Sequence, residues 1–311
     1  MKSWLFIGPT PLSGIGQVTK KYMALVPDGE YVEIGAAPMR PRYDIGFAFV
    51  LPIPQHLDIV DKYAKLCKKM IYMTVCETES VNPVYGILAD RYKTIHVPSE
   101  FSRGVLARQF PHGTWKLLRH HAPIPEAPRT NPITNPYIFY TIGNVADPRK
   151  NVAALVRAIE NFPEARLLIK ATCARPWTFL HPQVTVINGL VSDEQIENVH
   201  AKGHCYVNCS HSEGVGMGAV EAALRNKPVI IADYGGLKEY VKTPFIVPCA
   251  IGPIGFDDFL FTRDLLWGHP SDRRLVECMR TCYEQRLTTW DHAHTRGLVT
   301  AVADELLSIH E

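Results

Sequence analysis

The chain has 311 residues, 46% of them hydrophobic and 21% charged, which suits one large or two ordinary globular domains and excludes a disordered or collagen-like polymer. Lys and Arg total 33 against 31 Asp and Glu, so the formal charge is only +2, too weak a field to argue for nucleic acid or an anionic membrane as a general partner. Eight cysteines scattered over so long a chain are expected as thiols, not as a disulfide scaffold.

No apolar run approaches the ~18 residues that a membrane span requires. The opening Met1–Pro9 has too short an apolar core for a secretory signal, so a cytoplasmic location is expected.

The first half opens on an apolar strand, Trp4–Gly8, then a glycine-rich turn, Ser13–Gly16, and a helical stretch from Gln17 to about Leu25. A buried strand is expected over Tyr43–Leu51. A helix follows over Leu57–Lys69, with Leu57, Val60, Ala64 and Cys67 at helical spacing. Strands are read at Met70–Val75 and Thr94–Val97. Ser99-Glu100 then opens a helix carrying Phe101, Val105 and Leu106. Strands alternating with helices indicate a parallel α/β sheet.

Between Pro123 and Pro136 there are five prolines in fourteen residues, a composition that forms neither a helix nor a central strand and marks a linker. The rhythm then resumes. Strands are expected at Tyr137–Ile142, Arg166–Lys170, Val184–Ile187, Cys205–Asn208 and Val229–Ala232. Asn151 is placed to cap a helix carrying Val152, Leu155, Val156 and Ile159. The last 50 residues are mostly helical in pattern, with Arg296–Ile309 amphipathic. The division is therefore an N-terminal domain over 1–122, a linker over 123–136, a second domain over 137–285 and a helical tail over 286–311.

The most informative segment runs from Ser210 to Leu224, just after the Cys205–Asn208 strand. Gly214, Gly216 and Gly218 allow a tight turn and close approach of a ligand to the backbone. A helix starting near Gly218 or Ala219 turns its amides and positive end toward that turn, an arrangement that suits an anion such as a diphosphate. Glu213 before the turn and Glu221 beyond it could both reach one ligand, and carboxylates accept hydrogen bonds from hydroxyls. The plain alternative is a strand–helix turn with two solvated glutamates.

Glu213 and Glu221 stand at the E-x7-E spacing of retaining GT-B glycosyltransferases. The run from Ser210 to Val241, with Asn226-Lys227-Pro228 and Gly235-Gly236-Leu237-Lys238-Glu239, resembles the signature block of the large "family four" group. The resemblance implies two Rossmann-like domains with parallel sheets facing across a cleft, and a C-terminal helix crossing back to the first domain. It assigns Glu213 to the donor sugar, Glu221 to the nucleotide ribose, and Gly214, Val215, Gly216 and Met217 to a backbone cradle.

Gly143–Asn151 resembles the family's diphosphate segment. Lys150 occupies the lysine position, whereas Asn144 stands where the family places an arginine, and Arg149 is a candidate to supply the missing charge. Gly14 and Gly16 occupy the place of the turn that meets the donor phosphate. Leu190, within Asn188–Ser192, stands in the loop whose backbone meets the base. Thr74–Glu79 and Val97–Ser102 also resemble the family. Glu77 is a third catalytic candidate, contacting acceptor or donor sugar, or it is a capping or exposed carboxylate. The histidine that members often carry in this part of the first domain is missing.

The activity implied is transfer of a hexose from a UDP- or GDP-linked sugar to a hydroxyl of a glycan or lipid, with retention of configuration. No cofactor beyond the nucleotide-sugar substrate and no catalytic metal are implied. Three alternatives stand beside it: a phage-type DNA glucosyltransferase acting on hydroxymethylated bases, a catalytically silent GT-B-like binding module favoured by Asn144, and a sugar-nucleotide epimerase or phosphorylase. His204-Cys205 and Cys209-x-His211 do not match structural-zinc spacing, and strand alternation sends neighbours to opposite faces.

Overall fold

The computed structural model describes residues 2–10, 13–127, 135–173, 175–189, 192–258 and 260–309. The chain forms two compact units, Met1–Pro123 with Ile254–Leu265 and Leu298–Glu311, and Ile124–Pro253 with Leu266–Gly297. Residues 286–297 thus group with the second unit and 298–311 with the first, and the short segment 254–265 also counts with the first.

In the first unit the chain runs β1 (Trp4–Gly8), α1 (Gly14–Met23), β2 (Gly29–Glu33), β3 (Tyr43–Phe49), α2 (Pro54–Ala64), β4 (Cys67–Met73), α3 (Gly86–Arg91), β5 (Thr94–Val97), α4 (Glu100–Gln109) and β6 (Thr114–Leu117). All six strands pair in parallel in the order β2-β1-β3-β4-β5-β6. Strand alternation divides the burial between two faces. Leu5 and Ile7 join Leu57 and Val60 of α2 and Val105 and Leu106 of α4 in one buried cluster. Phe6 and Phe47 instead pack with Tyr22 of α1, at ring distances of 5.5 and 5.0 Å from Phe47.

The second unit has β7 (Tyr137–Gly143), α5 (Val152–Ile159), β8 (Ala165–Ala171), β9 (Val184–Ile187), α6 (Asp193–Lys202), β10 (Cys205–Asn208), α7 (Met217–Leu224), β11 (Val229–Ala232), α8 (Leu237–Tyr240) and β12 (Ile246–Val247). These strands are also parallel, in the order β12-β11-β10-β7-β8-β9. The hairpin β13 (Cys249–Pro253) and β14 (Leu266–Pro270), then α9 (Asp272–Glu284) and α10 (Ala293–Ser308), complete the chain. Phe139, Leu167, Ile169, Cys205 and Val207 pack under α5 and α9. Their neighbours Tyr140 and Tyr206 cross at 5.1 Å on the opposite face.

Several sequence expectations shift here. The helix expected over Leu57–Lys69 ends at Ala64, because Cys67 and Lys69 pair with Tyr43 and Ile45 of β3. The strands β2 and β6 were not anticipated. Both are sheet edges, where alternating buried and exposed residues weaken the apolar signal. Strand β14, paired with β13, falls inside the last 50 residues, a region expected to be mostly helical. Asn151 does precede α5, but in a left-handed conformation with no capping bond from its side chain.

Order and register place the second unit's chemistry. The chain leaves β7 toward β8 and β9, then returns to β10 on the other side of β7, so the switch point lies between β7 and β10. Loops diverging beyond the carboxyl ends of two such strands leave a crevice for ligand. Close packing keeps α7 against this edge. A Cβ on Gly218 would lie 2.2 Å from Tyr206 Oη and 3.3 Å from the Ile142 carbonyl oxygen. Gly218→Ala is therefore expected to destabilise the protein by roughly 2 kcal/mol through overpacking. Tyr206→Phe in the same chain should recover part of that loss, because it removes the clashing hydroxyl. A denaturant double-mutant cycle checks this, and strict additivity would contradict it.

Candidate functional site

Two loops meet at the switch point of the second sheet. One follows β7 and carries Gly143 to Lys150. The other follows β10 and carries Cys209 to Gly216. They are knitted by main-chain and side-chain bonds. His211 N donates to the Arg149 carbonyl at 2.8 Å, and Asn151 Nδ2 donates to the Cys209 carbonyl at 3.1 Å. The expected cap thus serves as a tie between the loops.

At the junction Lys150 Nζ donates to Glu213 Oε1 at 2.6 Å. Ser210 Oγ donates to the same oxygen at 2.8 Å and Asn208 Nδ2 at 3.3 Å. Arg149 Nη1 lies 3.9 Å from Glu213 Oε2, while its Nε and Nη2 hold Asp147 Oδ2 at 3.2 and 3.1 Å. The Glu213 side chain is 9% exposed and that of Lys150 20%. Burial alone would raise the carboxyl's pKa. The charges of Lys150 and Arg149, with the hydrogen bonds from Lys150 and Ser210, outweigh it and hold the group well below the usual carboxylate range. Thr141, Ile142, Gly143, Val145 and Val152 line the same small hollow as this pair.

The backbone of Glu213 is fixed from behind. Gly236 N donates to its carbonyl at 2.9 Å. Gly235 has φ +76°, and a Cβ there would lie 2.5 Å from that carbonyl oxygen, so position 235 demands glycine in both conformation and space. Gly216, at φ +74°, opens α7 without a capping side chain. His211 stacks on Trp267 at 4.8 Å, and its Nδ1 contacts the Gly268 carbonyl at 2.9 Å, which anchors the loop to β14.

The predicted residues fall into groups. Lys150, Arg149 and Glu213 come together. Gly214, Val215, Gly216 and Met217 form the turn into α7. Glu221 lies on α7, its Oε2 3.9 Å from His200 Nε2. Asn144 is exposed, its Oδ1 accepting from Ala146 N at 3.3 Å and the Cys173 thiol at 3.1 Å. Gly14, Gly16 and Glu77 belong to the first unit. The Gly16 amide donates to Ser13 Oγ at 3.0 Å, and Glu77 follows β4 in a stretch without regular structure. Leu190 lies outside the described residues.

Sequence reasoning missed Ser210 and Asn208 as braces of Glu213. The one available signal was an asparagine closing an otherwise apolar strand, Cys-Tyr-Val-Asn. Among the described residues no group of three His, Cys, Asp or Glu is arranged to hold a metal ion, and no helix is long and apolar enough to cross a membrane.

Residues 124–246, all in the second unit, match the family described as "Glycosyl transferases group 1". No curated protein matches the chain in sequence. Among solved structures, the sucrose-phosphate synthase of Thermosynechococcus elongatus superposes with a TM-score of 0.70 at 13% identity, covering 100% of this chain and 98% of that one. Anabaena Alr3699/HepE, solved with UDP and glucose, gives 0.69 at 14% identity, covering 99% of each chain. A glycosyltransferase from Rickettsia africae gives 0.68 at 11%, covering 99% and 98%. The architecture is GT-B, and with the matched domain it makes the chain a glycosyltransferase.

An ordinary glutamate carboxyl titrates near 4.5. Because the folded value of Glu213 is lower, its contribution to stability is complete above that pH and is lost as the pH falls toward the folded value. Lys150→Met removes the main opposing charge. The Glu213 carboxyl should then titrate at higher pH than in the wild type, with stability at neutral pH falling by about 3 kcal/mol. Carboxyl carbon NMR, with Glu213→Gln for assignment, measures the first effect, and an unchanged titration would contradict the pairing.

Proposed function

We propose that the protein is a retaining glycosyltransferase, moving a hexose from a nucleotide-diphosphate sugar to a hydroxyl of a glycan or lipid acceptor. The observation that carries this reading is the Lys150–Glu213 pair, with Arg149 beside it, at the carboxyl ends of β7 and β10.

The roles follow from charge. The bond from sugar to diphosphate breaks with negative charge building on the leaving phosphate. Lys150 carries three ammonium donors, one of which now reaches Glu213, and an incoming phosphate oxygen competes for the others. Arg149 stands close enough to Glu213 to supply the second positive charge that Asn144 does not. The braced Glu213 carboxylate accepts hydroxyl donors of the sugar, and Glu221 accepts those of the ribose. Met217 and the turn before it offer main-chain amides at the α7 start. On this reading the reaction needs no metal. Positioning and electrostatic stabilisation do the work.

UDP-glucose is the first donor to test, because HepE was solved with UDP and glucose. GDP-mannose is the second. Glu213→Ala and Lys150→Ala are each expected to lower transfer at least ~100-fold. Proton NMR should show that the product keeps the donor's anomeric configuration, with turnover unaffected by EDTA. Wild-type rates in both variants, or an inverted product, would sink the reading.

A further inference from the structure

Beneath α7 lies a buried polar chain that the proposed reaction does not yet use. His200 on α6 is 1% exposed, and its Nδ1 lies 2.9 Å from the hydroxyl of fully buried Tyr140 on β7. Burial pushes the Tyr140 phenol well above its usual pKa, so the hydroxyl keeps its proton. Burial likewise lowers the pKa of His200 against the opposing pull of Glu221, leaving a neutral ring. Because the group facing Nε2 is a carboxylate, which only accepts, the tautomer that fits carries the ring proton on Nε2 and accepts the tyrosine O–H at Nδ1.

That Nε2 is buried and makes no hydrogen bond among the described residues. It faces Glu221 Oε2 at 3.9 Å, and the Glu221 side chain is 20% exposed. Arg225 pairs with Glu197 and donates to the main-chain carbonyl of Glu221 at 2.7 Å. A buried N–H without an acceptor is costly, and a shift of the Glu221 carboxylate by about 1 Å would bring it into hydrogen-bond range.

We infer that His200 is a positioning residue for Glu221: its Nε2–H takes one carboxylate oxygen and turns the other toward a vicinal diol of the ligand. The inference rests on the reading of Glu221 as the ribose contact. A carboxylate tethered at one oxygen loses less freedom when the diol binds, so the tether strengthens binding to ribose without touching the sugar that reacts. Tyr140 sets the ring's tautomer, so it belongs to the same device.

The test compares UDP-glucose with its 2′-deoxyuridine counterpart. His200→Leu should raise KM for the ribose donor roughly 10-fold, with kcat held within about 2-fold and little change for the deoxy donor. His200→Gln, whose amide can both accept from Tyr140 and donate to Glu221, should restore most of the preference. Nitrogen NMR of the wild type should show the ring proton on Nε2. If His200→Leu fails to fold, Tyr140→Phe should show a smaller rise of the same ribose-selective kind. An equal KM rise for both donors, or an unchanged preference in His200→Leu while Glu221→Ala loses it, would overturn the role of His200. If Glu221→Ala keeps the full preference, the ribose reading itself fails, and the inference falls with it.

Discussion

A carboxylate and an ammonium held 2.6 Å apart at the edge of the second sheet are the constraint on which the rest of the site depends. Two charges withdrawn from water in this way are costly unless they pair and their remaining donors and acceptors are met. Here Ser210, Asn208 and the nearby Arg149 share that task. Lys150 comes from the loop after β7 and Glu213 from the loop after β10, so the pair exists only if both strands stand side by side in the order observed. The topology of the sheet thus decides where the pair sits.

The supports around the pair share this logic. His211 N and Asn151 Nδ2 tie one loop to the other, and the glycine turn at 235–236 presses on the carbonyl of Glu213. A carboxylate braced by its own strand end, by its own loop and by the next strand's turn has few orientations left. That restriction suits the proposed role of Glu213, holding sugar hydroxyls in one geometry. The departure at Asn144 is also intelligible in these terms. Its side chain is exposed and engaged with Ala146 and Cys173, whereas Arg149 Nη1 stands 3.9 Å from Glu213 Oε2, where the proposed function calls for positive charge. The feature that favoured a silent binding module therefore weighs less once the arginine five residues later is seen beside Glu213.

Much of this was legible in the sequence, for physical reasons. Central parallel strands are buried on both faces and read as unbroken apolar runs, so Trp4–Gly8, Thr94–Val97, Cys205–Asn208 and Val229–Ala232 coincide with the observed strands. The edge strands β2 and β6 and the β13–β14 hairpin lack that signal, whereas the edge strand β9, Val184–Ile187, keeps it. Around the site, Glu213, Glu221 and Lys150 stood out by spacing and resemblance. What spacing could not convey was partnership across distance: Arg149 reaches Glu213 over 64 positions, and Tyr140 reaches His200 over 60. The role of Asn151 was misread for the same reason, since a helix cap is a local pattern and its actual acceptor, the Cys209 carbonyl, belongs to another strand's loop.

The most direct test of the central claim is a crystal structure of the protein with UDP-glucose bound. The account predicts the diphosphate within hydrogen-bond distance of Lys150 Nζ, a hexose hydroxyl on the Glu213 carboxylate and the ribose diol on Glu221. A donor seated elsewhere, with Lys150 and Glu213 still closed on each other, would contradict it.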